Sequence, residues 1–222
     1  MRDNELTVNV ITYNHEEYLA QCLDSILEQR TNFGFVIRIF DDASTDSTPQ
    51  ICRNYEKKYP GKIQLFLAEK NLGIEKHVFV NALRSYLNIE TPYFCFIEGD
   101  DYLCDNNKFQ KQFDILEAHP ECSFCICKSK IHLEEDLSRD FGIYPSISNS
   151  IITRDDARNT PELPLLSLIA CRMIRTSAIC IDENYPEAFV LDIPQTYELL
   201  KQGHMYFIDE VMAVYRMQHN GS

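Results

Sequence analysis

Hydrophobic positions in this chain form short solid runs separated by amphipathic stretches, and the two alternate regularly through the first half. Leu6 to Thr12, Phe35 to Phe40, Lys62 to Ala68 and Tyr93 to Ile97 have the length and composition of strands. The last is apolar at nearly every position, as expected of a strand buried on both faces of a sheet. Between the runs the spacing becomes helical. Glu16 to Gln29 places Tyr18, Leu19, Cys22, Ile26 and Leu27 on one face. Ser47 to Tyr59 has Ser44 or Thr45 as its expected cap and Pro60-Gly61 as its stop, and Ile74 to Leu87 forms a third helix. Strands and helices alternating at this length predict an α/β fold with a Rossmann-like, mostly parallel central sheet flanked by helices and joined by right-handed crossovers.

The second half is less regular. Asp105 to His119 reads as a helix ended by Pro120, and Cys122 to Cys127 as a further strand. Residues from about 128 to 164 lose clear periodicity and are expected to form a mobile loop over a binding face. Leu165 to Asp182 is apolar again, and Arg172 within it is expected to pair with a surface acid, a reading slightly favoured over a polar position beside a binding pocket. A helix runs from Asp192 to about Gln202, with Gly203 as its C-cap, before two short closing strands, His204 to Ile208 and Val211 to Tyr215.

Polar residues gather where the early strands end. Tyr13 and Asn14 follow the first, Asp41 and Asp42 the second, Asn71 and Gly73 the third, and Glu98-Gly99-Asp100-Asp101 the fourth. Open α/β sheets bind ligands at this edge. Each group also has a plain explanation, since Asn, Asp and Gly are ordinary turn residues. Three clustered acids repel one another unless a cation joins them, and hard divalent ions take one or two carboxylates together with substrate phosphates. No Gly-x-Gly-x-x-Gly or Gly-Lys-Ser/Thr loop follows the first strand, so phosphate binding falls to a metal, Mn2+ or Mg2+.

Composition narrows the field. A chain of 222 residues, 45% hydrophobic, can bury the core of one sizeable domain. A net charge of −13 without a basic run argues against nucleic acid as a partner. Nine cysteines behind a polar N-terminal stretch imply a reducing, cytoplasmic setting. Cys122, Cys125 and Cys127 have no second ligand pair at matching spacing, so they are expected to be buried thiols rather than a zinc site. No apolar stretch is long enough to span a bilayer, leaving at most peripheral membrane contact.

Val8-Asn-Val-Ile-Thr-Tyr-Asn14, Phe40-Asp-Asp-Ala-Ser-Thr-Asp-Ser47, Asn71-Leu-Gly73 and Phe96-Ile-Glu-Gly-Asp-Asp-Tyr102, in this order and spacing, resemble the inverting family 2 glycosyltransferases of GT-A fold. The resemblance implies a nucleoside diphosphate sugar as donor, with Asp42 on the nucleobase, Tyr13 lining the same pocket, and Asn14, Asn71, Gly73 and Asp100 completing the nucleotide site. Glu98-Gly-Asp100 matches the family's Asp-x-Asp motif, with Glu in place of the commoner Asp. Asp101 would be the chief metal ligand, with Glu98 beside it. Tyr215-Arg216-Met-Gln-His219 resembles a Tyr-Arg-x-His ending with one residue added, which makes His219 a candidate metal or diphosphate contact and equally a solvated terminal histidine. Arg216 would meet the diphosphate or pair with an acid. Asp192 matches the acid that deprotonates the acceptor hydroxyl. On physical grounds alone an acid at a helix start usually only caps it.

The expected organisation is a nucleotide-sugar-binding half, residues 1–103, and an acceptor-binding and catalytic-base half, residues 104–222, of one domain. Members of that family commonly continue beyond the equivalent of residue 222. The expected reaction is inverting transfer of a sugar from a UDP or dTDP donor to a glycan or lipid-linked acceptor in cell-surface polysaccharide synthesis. Two other readings are a non-catalytic nucleotide-sugar-binding module and a sugar nucleotidyltransferase, although the latter normally has a basic, glycine-rich loop where this chain has Tyr13-Asn-His-Glu-Glu17.

Overall fold

The computed structural model describes residues 2–71, 89–133, 140–144, 150–159, 168–179 and 192–217. The helix expected over Ile74 to Leu87 and the charge run Glu134 to Asp136 lie outside them. Strand β1 (Arg2–Thr12) leads through helix α1 (Leu19–Leu27) to β2 (Phe33–Asp41), then through α2 (Thr48–Lys58) to β3 (Ile63–Leu67). Next come β4 (Tyr93–Glu98), the short β5 (Tyr102–Leu103), α3 (Lys108–Ala118) and β6 (Cys122–Leu133). The remaining elements are β7 (Asp140–Tyr144), β8 (Ser150–Ile152), α4 (Arg154–Asn159), β9 (Arg172–Arg175), α5 (Asp192–Gln202) and β10 (His204–Met217).

These strands form one mixed sheet in the order β3-β2-β1-β4-β9-β6-β10-β5. β1 pairs in parallel with both β2 and β4, and β2 with β3. β9 runs antiparallel between β4 and β6, and β6 is parallel to β10. The mostly parallel expectation therefore holds, with β9 inverted at its centre. The chain first builds outward from β1 to β3, and β4 lies on the opposite side of β1. That reversal of direction opens a crevice at the carboxyl ends of neighbouring strands.

Alternation along the strands separates two apolar layers. Leu6, Val8, Val10, Ile37, Ile39, Cys95 and Ile97 pack with Leu19, Leu23, Ile26, Phe109 and Phe113 on one face. Phe94, Phe96, Phe124, Ile126, Ile174 and Phe207 pack with Leu199 and Leu200 of α5 on the other. Burial on both faces explains why the β4 run is almost unbroken in apolar character.

Several expectations needed correction. Neither Ser44 nor Thr45 caps α2. Ser47 occupies that position without a side-chain bond, and Asp46 Oδ1 accepts the Thr48 N–H instead at 2.9 Å. The stretch expected as a loop from residue 128 continues β6 to Leu133 and, where described, forms β7, β8 and α4. β7 folds back antiparallel on its sequence neighbour β6, whereas β8 takes its order from β10, more than fifty positions further along the chain, a pairing that local periodicity does not register. The two expected closing strands are one, β10, with register shifts around Val211 that interrupt the alternation. Gly203 does stand at the C-cap of α5, its N–H donating to the Leu199 carbonyl at 3.2 Å, and it also packs closely, because a Cβ there would lie 2.8 Å from the Glu121 carbonyl oxygen. The cysteines of the described residues are free thiols, all buried except Cys104. None of the described helices is long and apolar enough to cross a membrane.

Candidate active site

The crevice is built from the ends of β2, β1 and β4, which lie side by side: Thr12 is level with Asp41, and Ile11 with Glu98. The loops leaving β1 and β2 are laced together. Asn14, held at φ 54°, accepts the Thr45 N–H on its side-chain oxygen at 2.8 Å, and its own N–H donates to Ser44 Oγ at 2.9 Å. The Glu16 N–H donates to Asp46 Oδ2 at 3.0 Å, and Glu16 Oε2 accepts the Ser47 N–H at 2.8 Å. The His15 N–H donates to Thr48 Oγ1 at 2.8 Å. Asn14 thus helps to hold the loops together, a role that its position after a strand does not by itself reveal.

This lacing leaves Tyr13 partly exposed beside Asp42, which is fully buried. The Asp42 N–H donates to the Thr12 carbonyl at 3.0 Å, and Asn71 Nδ2 donates to the Asp42 carbonyl at 3.2 Å, so Asn71 braces the site's backbone. Gly73 lies outside the described residues. Asp41 turns inward, accepting from both the N–H and the hydroxyl of Ser44, and its burial pushes its carboxyl above the usual range. Ala43, next in line, is held at φ 59°. An L-residue other than glycine in this region costs on the order of 1 kcal/mol, strain of the kind that collects at functional sites.

The acidic turn sits one strand away. The Gly99 N–H donates to the Ile11 carbonyl at 2.8 Å, and the Asp101 N–H to the Glu98 carbonyl at 3.0 Å. A Cβ on Gly99 would stand 2.8 Å from both Thr12 Oγ1 and His15 Nδ1, so only glycine lets this turn close against the β1 loop. His15 Nε2 lies 3.9 Å from Asp100 Oδ2. Asp101 is fully buried; its Oδ1 accepts the Arg216 N–H at 2.9 Å, while Oδ2 has no hydrogen-bond partner among the described residues. Burial, together with the charges of Glu98 and Asp100, raises the Asp101 carboxyl well above the usual range. The Arg216 guanidinium lies between the rings of Tyr18 and Tyr102, 5.0 and 4.7 Å from their centroids, and donates to the Asp100 carbonyl and to Gln21. Its described bonds brace the turn rather than pair with an acid.

No group of three or more His, Cys, Asp or Glu among the described residues converges as a ready-made metal cage. A Mg2+- or Mn2+-type site needs less, because one or two carboxylates suffice when substrate phosphates and water complete the shell. Asp101, with one buried oxygen unpartnered and its charge opposed by two neighbouring acids, fits that role. His219 lies outside the described residues.

Asp192 opens α5; its side chain is outside the described set. The helix is fixed from below. Ser123 Oγ donates to the Leu199 carbonyl at 2.8 Å, and Arg172 donates from Nη1 to Gln195 Oε1 at 2.6 Å and from Nη2 to Thr196 Oγ1 at 3.1 Å. Arg172 is only 1% exposed, so it lies buried beneath α5 rather than at the surface.

The similarities to known proteins agree with this geometry. An uncharacterised protein of Mycobacterium tuberculosis is 31% identical over 97% of this chain, and the match covers 60% of that protein's length. Staphylococcus aureus TarS, residues 1–349, solved in complex with UDP, superposes with a TM-score of 0.73 at 19% identity, covering 98% of this chain and 61% of that 1–349 chain. The mannosyltransferase PcManGT of Pyrobaculum calidifontis, solved with GDP-Man and Mn2+, gives a TM-score of 0.65 at 17% identity, covering 96% of this chain and 57% of that one. The chain therefore spans about three fifths of the length of the mycobacterial protein and of these two solved chains. These superpositions establish a GT-A-like fold. The sequence model described as glycosyl transferase family 2 matches residues 7–179, across the crevice and the acidic turn, and the chain belongs to that family.

Proposed function

We propose that this chain is the catalytic domain of a metal-dependent, inverting glycosyltransferase that moves a sugar from a nucleoside diphosphate sugar to an acceptor hydroxyl. The observation that carries the reading is Asp101, a fully buried carboxylate at the ligand-binding edge of the sheet with one oxygen unpartnered among the described residues. Membership of family 2 supports the reaction class.

In this reading Asp42 accepts a hydrogen bond from a pyrimidine ring N–H while Tyr13 packs on the base, which favours uridine or thymidine donors. The UDP in TarS is in keeping with that preference. Asn71 and the laced β1 and β2 loops keep this pocket formed before the donor arrives. Asp101, with Glu98 and His219 as further candidates, would hold Mn2+ or Mg2+, and the Mn2+ in PcManGT is in keeping with that assignment. When bound, such an ion supplies positive charge opposite the charge developing on the departing diphosphate. Asp100 lies at the same turn as part of the nucleotide site. Asp192 takes the proton from the acceptor hydroxyl as that oxygen attacks the anomeric carbon, so a single displacement inverts the centre. A glycan or lipid-linked acceptor of a cell-surface polymer, met at the inner face of a membrane, completes the proposal.

The test is a panel of nucleotide sugars incubated with the protein and Mn2+ without acceptor. Slow hydrolysis of a uridine or thymidine donor, dependent on the metal, is expected. Donor binding with no hydrolysis across the panel, and no transfer when acceptors are added, would instead indicate a non-catalytic binding module. Synthesis of a sugar nucleotide from a sugar phosphate and a nucleoside triphosphate would indicate a nucleotidyltransferase.

A further inference from the structure

Arg172 is a fully buried cation on the face of the sheet lined by Phe94, Phe96, Phe124, Ile126 and Phe207. A guanidinium carries five N–H donors, and burying it in an aromatic layer is costly unless those donors find acceptors. Two of its nitrogens reach consecutive residues of α5, Gln195 at 2.6 Å and Thr196 at 3.1 Å, which are themselves buried. Bonds from one rigid fork to adjacent helical residues fix both the rotation of a helix and its position along its axis. An apolar side chain of equal volume would support the helix without fixing either.

The place of this grip matters. β9 pairs antiparallel with β4, with Phe94 level with Ile174. Continuing that register sets Arg172 level with Phe96, two residues short of Glu98 at the acidic turn. Gln195 and Thr196 follow Asp192 by three and four residues, the spacing that shares one face of a helix. Arg172 therefore connects the strands that carry the acidic turn to the turn of helix that Asp192 opens.

We propose that Arg172 is a positioning residue for the transfer reaction, fixing the first turn of α5, and so Asp192, relative to the acids at the end of β4. The inference rests on the reading of Asp192 as the base. The fold does not depend on this grip alone, since Leu199 and Leu200 are buried against the sheet and Ser123 holds the Leu199 carbonyl.

The experiment compares Arg172→Lys, Arg172→Met and Thr196→Val, each alone and combined with Asp192→Asn. Folding is followed by circular dichroism, Mn2+-UDP binding by calorimetry, and turnover with a working acceptor. Misplacing a reacting group by about 1 Å can cost on the order of a hundredfold, so kcat should fall roughly ten- to a hundredfold with donor KM and UDP affinity unchanged. Lysine should restore part of what methionine loses, and Arg172→Met should add nothing to Asp192→Asn. Wild-type turnover in folded Arg172→Lys and Thr196→Val would overturn the inference. A loss additive to that of Asp192→Asn, or one matched by lost UDP binding, would also overturn it. If Arg172→Met does not fold, the other two variants decide. An active Asp192→Asn refutes the base itself, whereas an inactive Asp192→Asn beside active Arg172 variants refutes only the positioning role.

Discussion

The backbone N–H of Arg216 donates to Oδ1 of Asp101 at 2.9 Å, although the two residues lie 115 positions apart in the chain. The last strand thereby orients the buried acid of the fourth, leaving Oδ2 as the oxygen without a partner among the described residues. Through this bond the acidic turn and the last strand form one structural unit.

Asp101→Asn should abolish Mn2+-dependent UDP binding while preserving the fold, because the amide oxygen can still accept from Arg216. Calorimetry with and without Mn2+ checks this, and wild-type affinity in the variant would remove Asp101 from the metal site. A stability effect of opposite sign should accompany it. The folded-state pKa of Asp101 is raised, by burial first and then by Glu98 and Asp100. Its contribution to stability is therefore present below the ordinary carboxylate range and is lost as pH rises through the raised value. Without metal at neutral pH, Asp101→Asn should melt at a higher temperature than the wild type, and the gap should close in acid. Thermal unfolding with chelator across that pH range measures it.

Asp42→Ala should weaken UDP binding about 5- to 150-fold, since deleting one partner of a buried hydrogen bond typically costs about 1 to 3 kcal/mol. The wild type should bind UDP more tightly than ADP. Equal affinity for the two nucleotides would count against a pyrimidine-reading role.

Gly99→Ala tests the closeness of the acidic turn to the β1 loop. Its Cβ would meet Thr12 and His15 at 2.8 Å, inside normal contact. Overpacking of this kind typically costs about 1 to 3 kcal/mol, which urea denaturation would register. Nucleotide affinity should fall with it as the turn moves away from β1. Unchanged stability and affinity would mean that the turn has slack the structure does not show.

Asp192→Asn should lower turnover at least a hundredfold while leaving donor binding intact, because positioned acid-base groups contribute about 100- to 10,000-fold. Stability should change little, since Asn caps a helix about as well as Asp. Retention of more than about a tenth of wild-type turnover would rule it out as an essential base.

Local pattern was enough to determine the described strands and helices of the first half. The runs that became β1 to β4 were legible because burial on one or both faces writes itself into consecutive side chains, and the residues ending those strands marked the crevice. The acidic turn could be read for the same reason, with Glu98, Asp100 and Asp101 adjacent in sequence. Tertiary structure alone decided the rest. β7 and β8 owe their order to pairing with β6 and β10, which leaves little trace in their own periodicity. Asn14, expected at the nucleotide site, also holds the neighbouring loop through Thr45, 31 positions away, a bond its place after β1 does not announce. The left-handed conformation of Ala43 has no mark in its residue type. Arg172 carried no local sign of a buried fork, because its acceptors lie 23 and 24 positions away on a different element. Sequence spacing encodes what neighbours along one strand or helix face must share. Which distant backbone group or side chain meets a polar atom is fixed only when the sheet closes and every buried donor and acceptor needs a partner.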